Sequence, residues 1–289
     1  MIDKSPLVTV ICLCFNHDRF VEEALQSVLN QTHSNIQLIV VDDASMDNSV
    51  KTIEEVISKN QVNIRFIKND KTLGNCKAFN QALIHAKGEF IIDLAADDIL
   101  LPERIKQGLS TFQEHGDDYG VNFTDAEIID EKGGHLDHHY QRDKLGSLDI
   151  EVPQGNLFKI LMKRYIICPP TIMVKSIVYE ELSGYDEKLA YEDFDFWIRS
   201  SRNWKYCFTN AVLVKKRIVE NSMSSKQYIK GSKQMWSTYV VCEKAYQLCR
   251  NKAEFRALQQ RISYELKHAI WLLNFPLSMR YILLWIKSI

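Results

Sequence analysis

No stretch of about 18 uninterrupted apolar residues occurs in the sequence, so no segment is expected to span a bilayer. The first apolar run, Leu7 to Phe15, lacks the basic n-region and the small-residue cleavage site of a signal peptide, and reads as a strand. No Cys-x-x-Cys pair occurs. The seven cysteines are scattered and odd in number, which argues against a disulfide framework or a zinc site and for reduced thiols in a cytoplasm. Excess charge is missing too. With a formal net charge of -1 there is no global basic field to attract nucleic acid. There is no internal repeat and no low-complexity tract.

What is present is an ordinary globular composition. The 289 residues, 46% hydrophobic and 25% charged, suffice for one large domain or one domain plus an extension. The first hundred residues alternate in period. "LVTVICLCF" is β-rich, and "RFVEEALQSVLNQT" puts Phe20, Ala24, Leu25, Val28 and Leu29 on one helical face. "IQLIVVDD" is a continuous apolar run, as in a strand covered on both sides. A helix follows, capped by Asp47, Asn48 or Ser49. Then come a strand in "NIRFIKND", a helix in "NCKAFNQALIHAKG" closed by Gly88, a strand in "EFIIDLA", and a helix opened by Pro102. This alternation predicts βαβ units and a mostly parallel sheet, in which ligands bind at the C-terminal strand ends. From about Tyr119 the pattern loosens, and residues 131–156 read as a polar, mobile loop. Helix dominates from Gly231.

Three acidic clusters stand out. Asp97 and Asp98 end the strand "FIIDLA", and Asp42 and Asp43 end "LIVVDD". Each pair has a plain reading as helix N-capping acids. Each also suits a polar ligand or a hard divalent cation, which takes one or two protein carboxylates and completes its shell with phosphate and water oxygens. Two such pairs on one sheet are stronger evidence than either alone. The third cluster is "YEDFDFWIR". Glu192 and Asp193 stand at a helix start, with Phe194, Trp197 and Ile198 on its apolar face.

Four segments in order, "VTVICLCFNHDRFVEEALQSVLNQT", "LIVVDDASMDNS", "LGNCKAFNQALIHAKGEFIIDLAADDILLPERI" and "GYDEKLAYEDFDFWIR", resemble the family 2 glycosyltransferases. The resemblance runs from about Leu7 to Ser225 and implies an α/β GT-A fold. That is a Rossmann-like, mostly parallel central sheet flanked by helices, with a helical C-terminal extension. It divides the chain into a domain over 1–228, with a nucleotide-sugar half (1–118) and an acceptor half (119–228), and an extension over 229–289. It implies an inverting, hexosyl-type transferase using a nucleotide-sugar, with UDP favoured, and a divalent metal, Mn2+ or Mg2+. The acceptor would be a glycan or lipid-linked saccharide, as in bacterial surface-polysaccharide assembly.

Residue by residue, the resemblance puts Cys14, Phe15 and Asn16 in the nucleotide pocket and gives Asp43 a uracil N–H. Asn75 and Lys77 approach the nucleotide and its phosphates. Asp97 reaches the ribose or sugar, Asp98 the metal, Asp193 is the base, and Glu192 and Trp197 lie on the acceptor side. The sequence departs from the family pattern at Ala95, where many members carry an acid. It departs again at Val219, where many carry a histidine that Lys215, Lys216 or Arg217 would replace. It has no Gln-x-x-Arg-Trp motif, which argues against a processive synthase.

The alternatives are a sugar-phosphate nucleotidyltransferase, a glycoside hydrolase or a binding-only relative. "CFNHDRF" has no glycine for the phosphate loop of the first. The second would not need two acid pairs on a nucleotide-type sheet. His138 and His139 fit a solvated or acceptor-facing loop better than a zinc site. Cys168-Pro169-Pro170 reads as a rigid turn. The apolar tail from Trp271 to Ile286 fits a core or dimer contact, or a membrane interface with the protein peripheral to it. Pro276 and Arg280 argue against its spanning.

Overall fold

The computed structural model describes residues 5–60, 64–143, 145–220 and 227–289. Its centre is β1 (Val8–Cys14), every residue of which is buried. Parallel strands β2 (Ile36–Asp42) and β4 (Phe90–Ala95) flank it, and β3 (Arg65–Lys68) pairs with β2 at the edge. Beyond β4 the order continues through β8 (Met173–Lys175), β6 (Tyr119–Ile129), β9 (Lys205–Arg217) and β5 (Ile99–Leu100), while β7 (His135–His138) pairs with β6.

Alternation along the strands builds two cores, one on each face. Ile11, Leu13, Ile39 and Val41 point to one, with α3 (Asn75–Leu83), α6 (Ser176–Leu182) and α7 (Asp193–Ser200) packed over them. Val10, Cys12, Leu38 and Val40 point to the other, under α1 (Val21–Leu29), α2 (Ser49–Asn60) and α4 (Arg104–His115). Each fully buried aliphatic side chain contributes about 1.5–3 kcal/mol, so the continuous apolar runs suit a sheet covered on both sides.

The extension is not a separate body. Helices α8 (Lys233–Leu248), α9 (Lys252–Trp271) and α10 (Phe275–Lys287) share a third core with α5 (Phe158–Lys163) and α7. Of the tail, Leu277, Tyr281 and Leu284 are buried, whereas Trp271, Phe275, Met279, Ile282, Leu283 and Ile286 are exposed. The core reading therefore holds for one face of α10 only.

Three local expectations need correction. Helix α3 ends at Leu83, so Gly88 does not close it. Gly88 is required for space: a Cβ there would lie 2.5 Å from the Thr9 backbone nitrogen. Asp98 caps no helix, because β5 intervenes before α4. The 131–156 segment is tied down. Asp125, fully buried on β6, accepts from Arg142 Nε at 2.6 Å and from the Tyr140 backbone at 3.1 Å, and Gly155 bridges to Tyr206.

Gly88→Ala should cost about 1–3 kcal/mol of stability, because the new methyl meets backbone that cannot move aside. An unchanged urea midpoint would contradict this packing.

Candidate active site

The register of the parallel strands decides where the site lies. Cys14 is opposite Asp42 on β2, and Leu13 is opposite Ala95 on β4, so the three strands end level. Phe15–Asn16, Asp43 and Asp97–Asp98 therefore follow one another along a single edge.

The first two loops of that edge are laced together. Asn16 donates its backbone N–H to Ser45 Oγ (2.9 Å) and accepts from the Met46 N–H through Oδ1 (2.8 Å). His17 N–H donates to Ser49 Oγ (2.9 Å), and Asp18 N–H to Asp47 Oδ2 (3.0 Å). Asp47 also accepts from the Ser49 N–H (2.9 Å), which makes it the residue that fastens the start of α2. Asn16 and Ala44 hold left-handed backbone, at φ 57° and 64°. That costs on the order of 1–2 kcal/mol for a residue with a Cβ, a strain typical of functional loops. Cys14 is buried beneath the loops, while the Phe15 ring is 44% exposed above them and offers a face for stacking.

Asp43 turns mainly toward its own chain. It accepts from Asn69 Nδ2 (3.0 Å), the Leu73 N–H (2.8 Å) and the Gly74 N–H (2.8 Å). Of about four lone-pair positions on a carboxylate, roughly one is left for a base N–H. Its first task is to shape the loop that leads into α3. Neighbouring Asp42 accepts from the Ser45 N–H, and its buried Oδ1 has no partner among the described residues.

At the β4 end, Asp98 is buried and accepts from the Arg217 backbone N–H at 2.8 Å. Burial, and then the adjacent Asp97, hold its carboxyl well above the usual carboxylate range, against the pull of the Arg217 N–H and the Lys216 and Arg217 charges. Asp97 is half-buried, with His17 Nε2 3.9 Å from Oδ2. Arg217 is fully committed to structure: its guanidinium meets Glu23 at 2.5 Å and the carbonyls of Asp97, Asp130 and Glu131. Lys215 pairs with Glu127 at 3.3 Å. Of the three cations expected to replace the family histidine, Lys216 alone has no ion-pair partner among the described residues, and its charge acts on both Asp98 and Asp193. The remainder of that segment, 221–226, lies outside the described residues.

The start of α7 carries a further acidic cluster. Asn75, at the start of α3, donates to Glu192 Oε2 at 2.6 Å. Burial raises the Glu192 carboxyl, and burial plus Glu192 raise Asp193 well above its usual range, with Lys216 opposing. A third acid, Asp93, lies behind them on β4. Burial and Glu192 raise it, while Tyr185 OH donates to it at 3.0 Å. Burial and like charge therefore both disfavour full ionisation of this cluster. The rest of α7 is scaffold. Asp195 is buried and bonded to Arg199 and Lys244 at 2.6 Å each. Trp197 is 2% exposed in the first core beside Tyr165, so it does not face an acceptor, contrary to expectation. Lys77 is exposed on the first turn of α3.

Sequence reasoning passed over His17, Asp93 and Tyr185. Asp93 could have been found, because an acid inside an otherwise apolar strand is uncommon unless it is partnered. His139 Nε2 bonds the Ile166 carbonyl. Cys168 is buried before a 3-10 turn (Pro169–Thr171), and burial pushes its thiol up to about 12.

The donor set suits a divalent cation that brings its own oxygens. No group of three or more metal-ligating side chains exists among the described residues. Asp98 and Asp97, with His17 adjacent, offer the one or two carboxylates that Mg2+ or Mn2+ takes alongside phosphate.

The chain matches the profile described as glycosyl transferase family 2 over residues 9–175. An uncharacterised glycosyltransferase of Methanocaldococcus jannaschii is 32% identical over 220 residues, 75% of this chain and 72% of that protein. One from Rickettsia typhi is 28% identical over 244 residues, 82% of this chain and 72% of that protein. Among solved structures, S. aureus TarS in complex with UDP-GlcNAc aligns with a TM-score of 0.72 at 17% identity, covering 97% of this chain and 81% of that one. Mannosyltransferase PcManGT from Pyrobaculum calidifontis, in complex with GDP-Man and Mn2+, aligns at 0.65 and 15% identity, over 96% and 74%. Both likenesses establish the fold as GT-A.

Arg217→Met should lower stability by about 2–3 kcal/mol, since charge-assisted bonds to three carbonyls are lost. Lys216→Met should stay within about 0.5 kcal/mol. Equal effects in denaturant titrations would contradict this division of roles.

Proposed function

The chain belongs to glycosyl transferase family 2, and we propose that it is an inverting enzyme moving a sugar from a nucleotide-sugar to an acceptor hydroxyl. The observation that carries this reading is that one cation, Lys216, unpaired among the described residues, acts on both Asp98 and Asp193, so its charge links the acid pair after β4 to the acid pair at the start of α7. The nucleotide would stack on Phe15 beside Asn16 and Asp43, with Asn75 and Lys77 toward its phosphates and Asp97 toward the ribose or sugar. A divalent cation, Mn2+ or Mg2+, held by Asp98 would supply charge neutralisation for the diphosphate leaving group. UDP is the favoured nucleotide. One fold neighbour is in complex with UDP-GlcNAc and another with GDP-Man and Mn2+, so a metal and either base suit the fold.

Asp193 is the proposed general base. As the acceptor oxygen bonds to the anomeric carbon, its proton passes to the Asp193 carboxylate, and the bond from carbon to the diphosphate oxygen breaks on the opposite face. One displacement inverts the centre. A raised carboxyl suits the task, because a base works best with a pKa near the working pH. Glu192, fixed by Asn75, sustains that rise, and Asp93 with Tyr185 backs it. Lys216, whose charge acts on Asp98 and Asp193, would offset negative charge on the departing diphosphate. The acceptor is proposed to be a glycan or lipid-linked saccharide of bacterial surface-polysaccharide assembly, which rests on analogy with the fold's usual work.

Asp193→Asn should keep donor binding and abolish transfer; normal turnover would remove the assignment. The wild-type rate should fall as pH drops through the raised Asp193 pKa, because only the ionised form accepts a proton. Glu192→Gln removes the like charge and should move that acid limb to lower pH. Lys216→Met removes the opposing charge and should move it to higher pH. Shifts of the reverse sign would contradict the electrostatics.

A further inference from the structure

The outer face of α10 has no work to do in the fold, yet it is strongly apolar. Phe275, Met279, Ile282, Leu283 and Ile286 recur at i, i+4, i+7, i+8 and i+11, one stripe of the helix, and all are exposed. The opposite stripe, Leu277, Tyr281 and Leu284, is buried in the third core. Trp271 continues the patch at the end of α9, 76% exposed. A contiguous apolar surface of this kind marks an interaction site.

Its charge identifies the occupant. From Lys267 to Ile289 there is no aspartate or glutamate, while Lys267, Arg280 and Lys287 are present. A cleft of about 480 Å³ opens between α9 and α10 beside the patch. Arg256, Lys267, Tyr264 and Trp285 line it, with no acid among its lining residues. Neither Arg256, Lys267 nor Lys287 has an ion-pair partner among the described residues, whereas Arg280 lies over the Trp236 and Tyr239 rings. Two copies of this face would oppose like charges. A surface that is anionic outside and apolar beneath matches both features.

We propose that α10 and the end of α9 seat the protein on an anionic phospholipid surface, with the apolar stripe in the acyl boundary and headgroup phosphates against Arg256 and Lys267. Helix α10 would lie along the bilayer surface and not across it. Helix α10 has 13 residues, about 20 Å against the roughly 30 Å of a hydrocarbon core. No helix among the described residues is long and apolar enough to span. The surface stands independently of which donor the enzyme uses.

The test is co-sedimentation of the full chain with phosphatidylglycerol–phosphatidylcholine vesicles and with phosphatidylcholine vesicles. Binding should favour the anionic vesicles. The double variant Phe275→Ser/Ile286→Ser should lose at least about tenfold in partitioning, and Arg256→Gln/Lys267→Gln should lose the preference for anionic lipid. All four substituted side chains are exposed and lie away from the candidate active site, so unaltered circular dichroism is expected and identifies folded variants. Equal binding to both vesicle types overturns the proposal. So does absence of binding, whether light scattering finds a dimer that the Phe275→Ser/Ile286→Ser variant dissociates or a monomer throughout.

Discussion

Everything at the cleft depends on the parallel register of β1 with its two neighbours. Because Cys14, Asp42 and Ala95 end their strands together, the three following loops share one edge. A shift of one residue would turn every side chain of a strand to the other face and exchange the two cores. The complete burial of β1 makes that exchange prohibitive. The sheet is thus a ruler, and the spacing of the three loops is what the ruler measures out. The ends of β4, β6 and β9 are then tied together by Arg217. Its backbone N–H holds Asp98 and its guanidinium reaches Glu23 on α1 and the carbonyls after β6.

The cleft is an electrostatic imbalance held in place by that frame. Burial would neutralise Asp98, Asp193 and Asp93, and repulsion from the adjacent carboxylates, Asp97 for the first and Glu192 for the other two, pushes in the same direction. Lys216 and the Arg217 N–H relieve this only in part. Such crowding is a cost to the folded chain unless cationic or proton-bearing matter arrives, which is why perturbed carboxyls mark functional clefts. A metal-bound diphosphate on one side and an acceptor hydroxyl on the other are what the two clusters await in the account proposed here. Catalysis would then draw on charge arranged before substrate arrives.

Much of this was legible in the sequence, for physical reasons. Apolar runs such as "LIVV" have few fates other than a covered strand, and the amphipathic period of α1 left little choice for Ala24, Leu25 and Val28. Paired acids after such runs announced a polar edge. What could not be read were partners far apart in the chain. Asp98 could be read as a helix cap as well as a metal ligand, and nothing local shows that Arg217, over a hundred residues later, is its donor. Trp197 shared a motif with Asp193, yet lies one turn deeper and is core. The loop of residues 131–156 looked loose because nothing local shows that Asp125 and Arg142 meet. Gly88 looked like a cap because its steric conflict is with β1, nearly eighty positions away. Local chemistry set the elements; the exceptions were contacts between them.

The most direct test of the central claim is calorimetric titration of the protein with UDP, GDP and dTDP, each with and without Mn2+. The account predicts that one of them, UDP by preference, binds tightly and only with the metal, and that Asp98→Asn loses the metal dependence. Absence of binding by all three nucleotides would contradict it and leave the two acid pairs with structural roles alone.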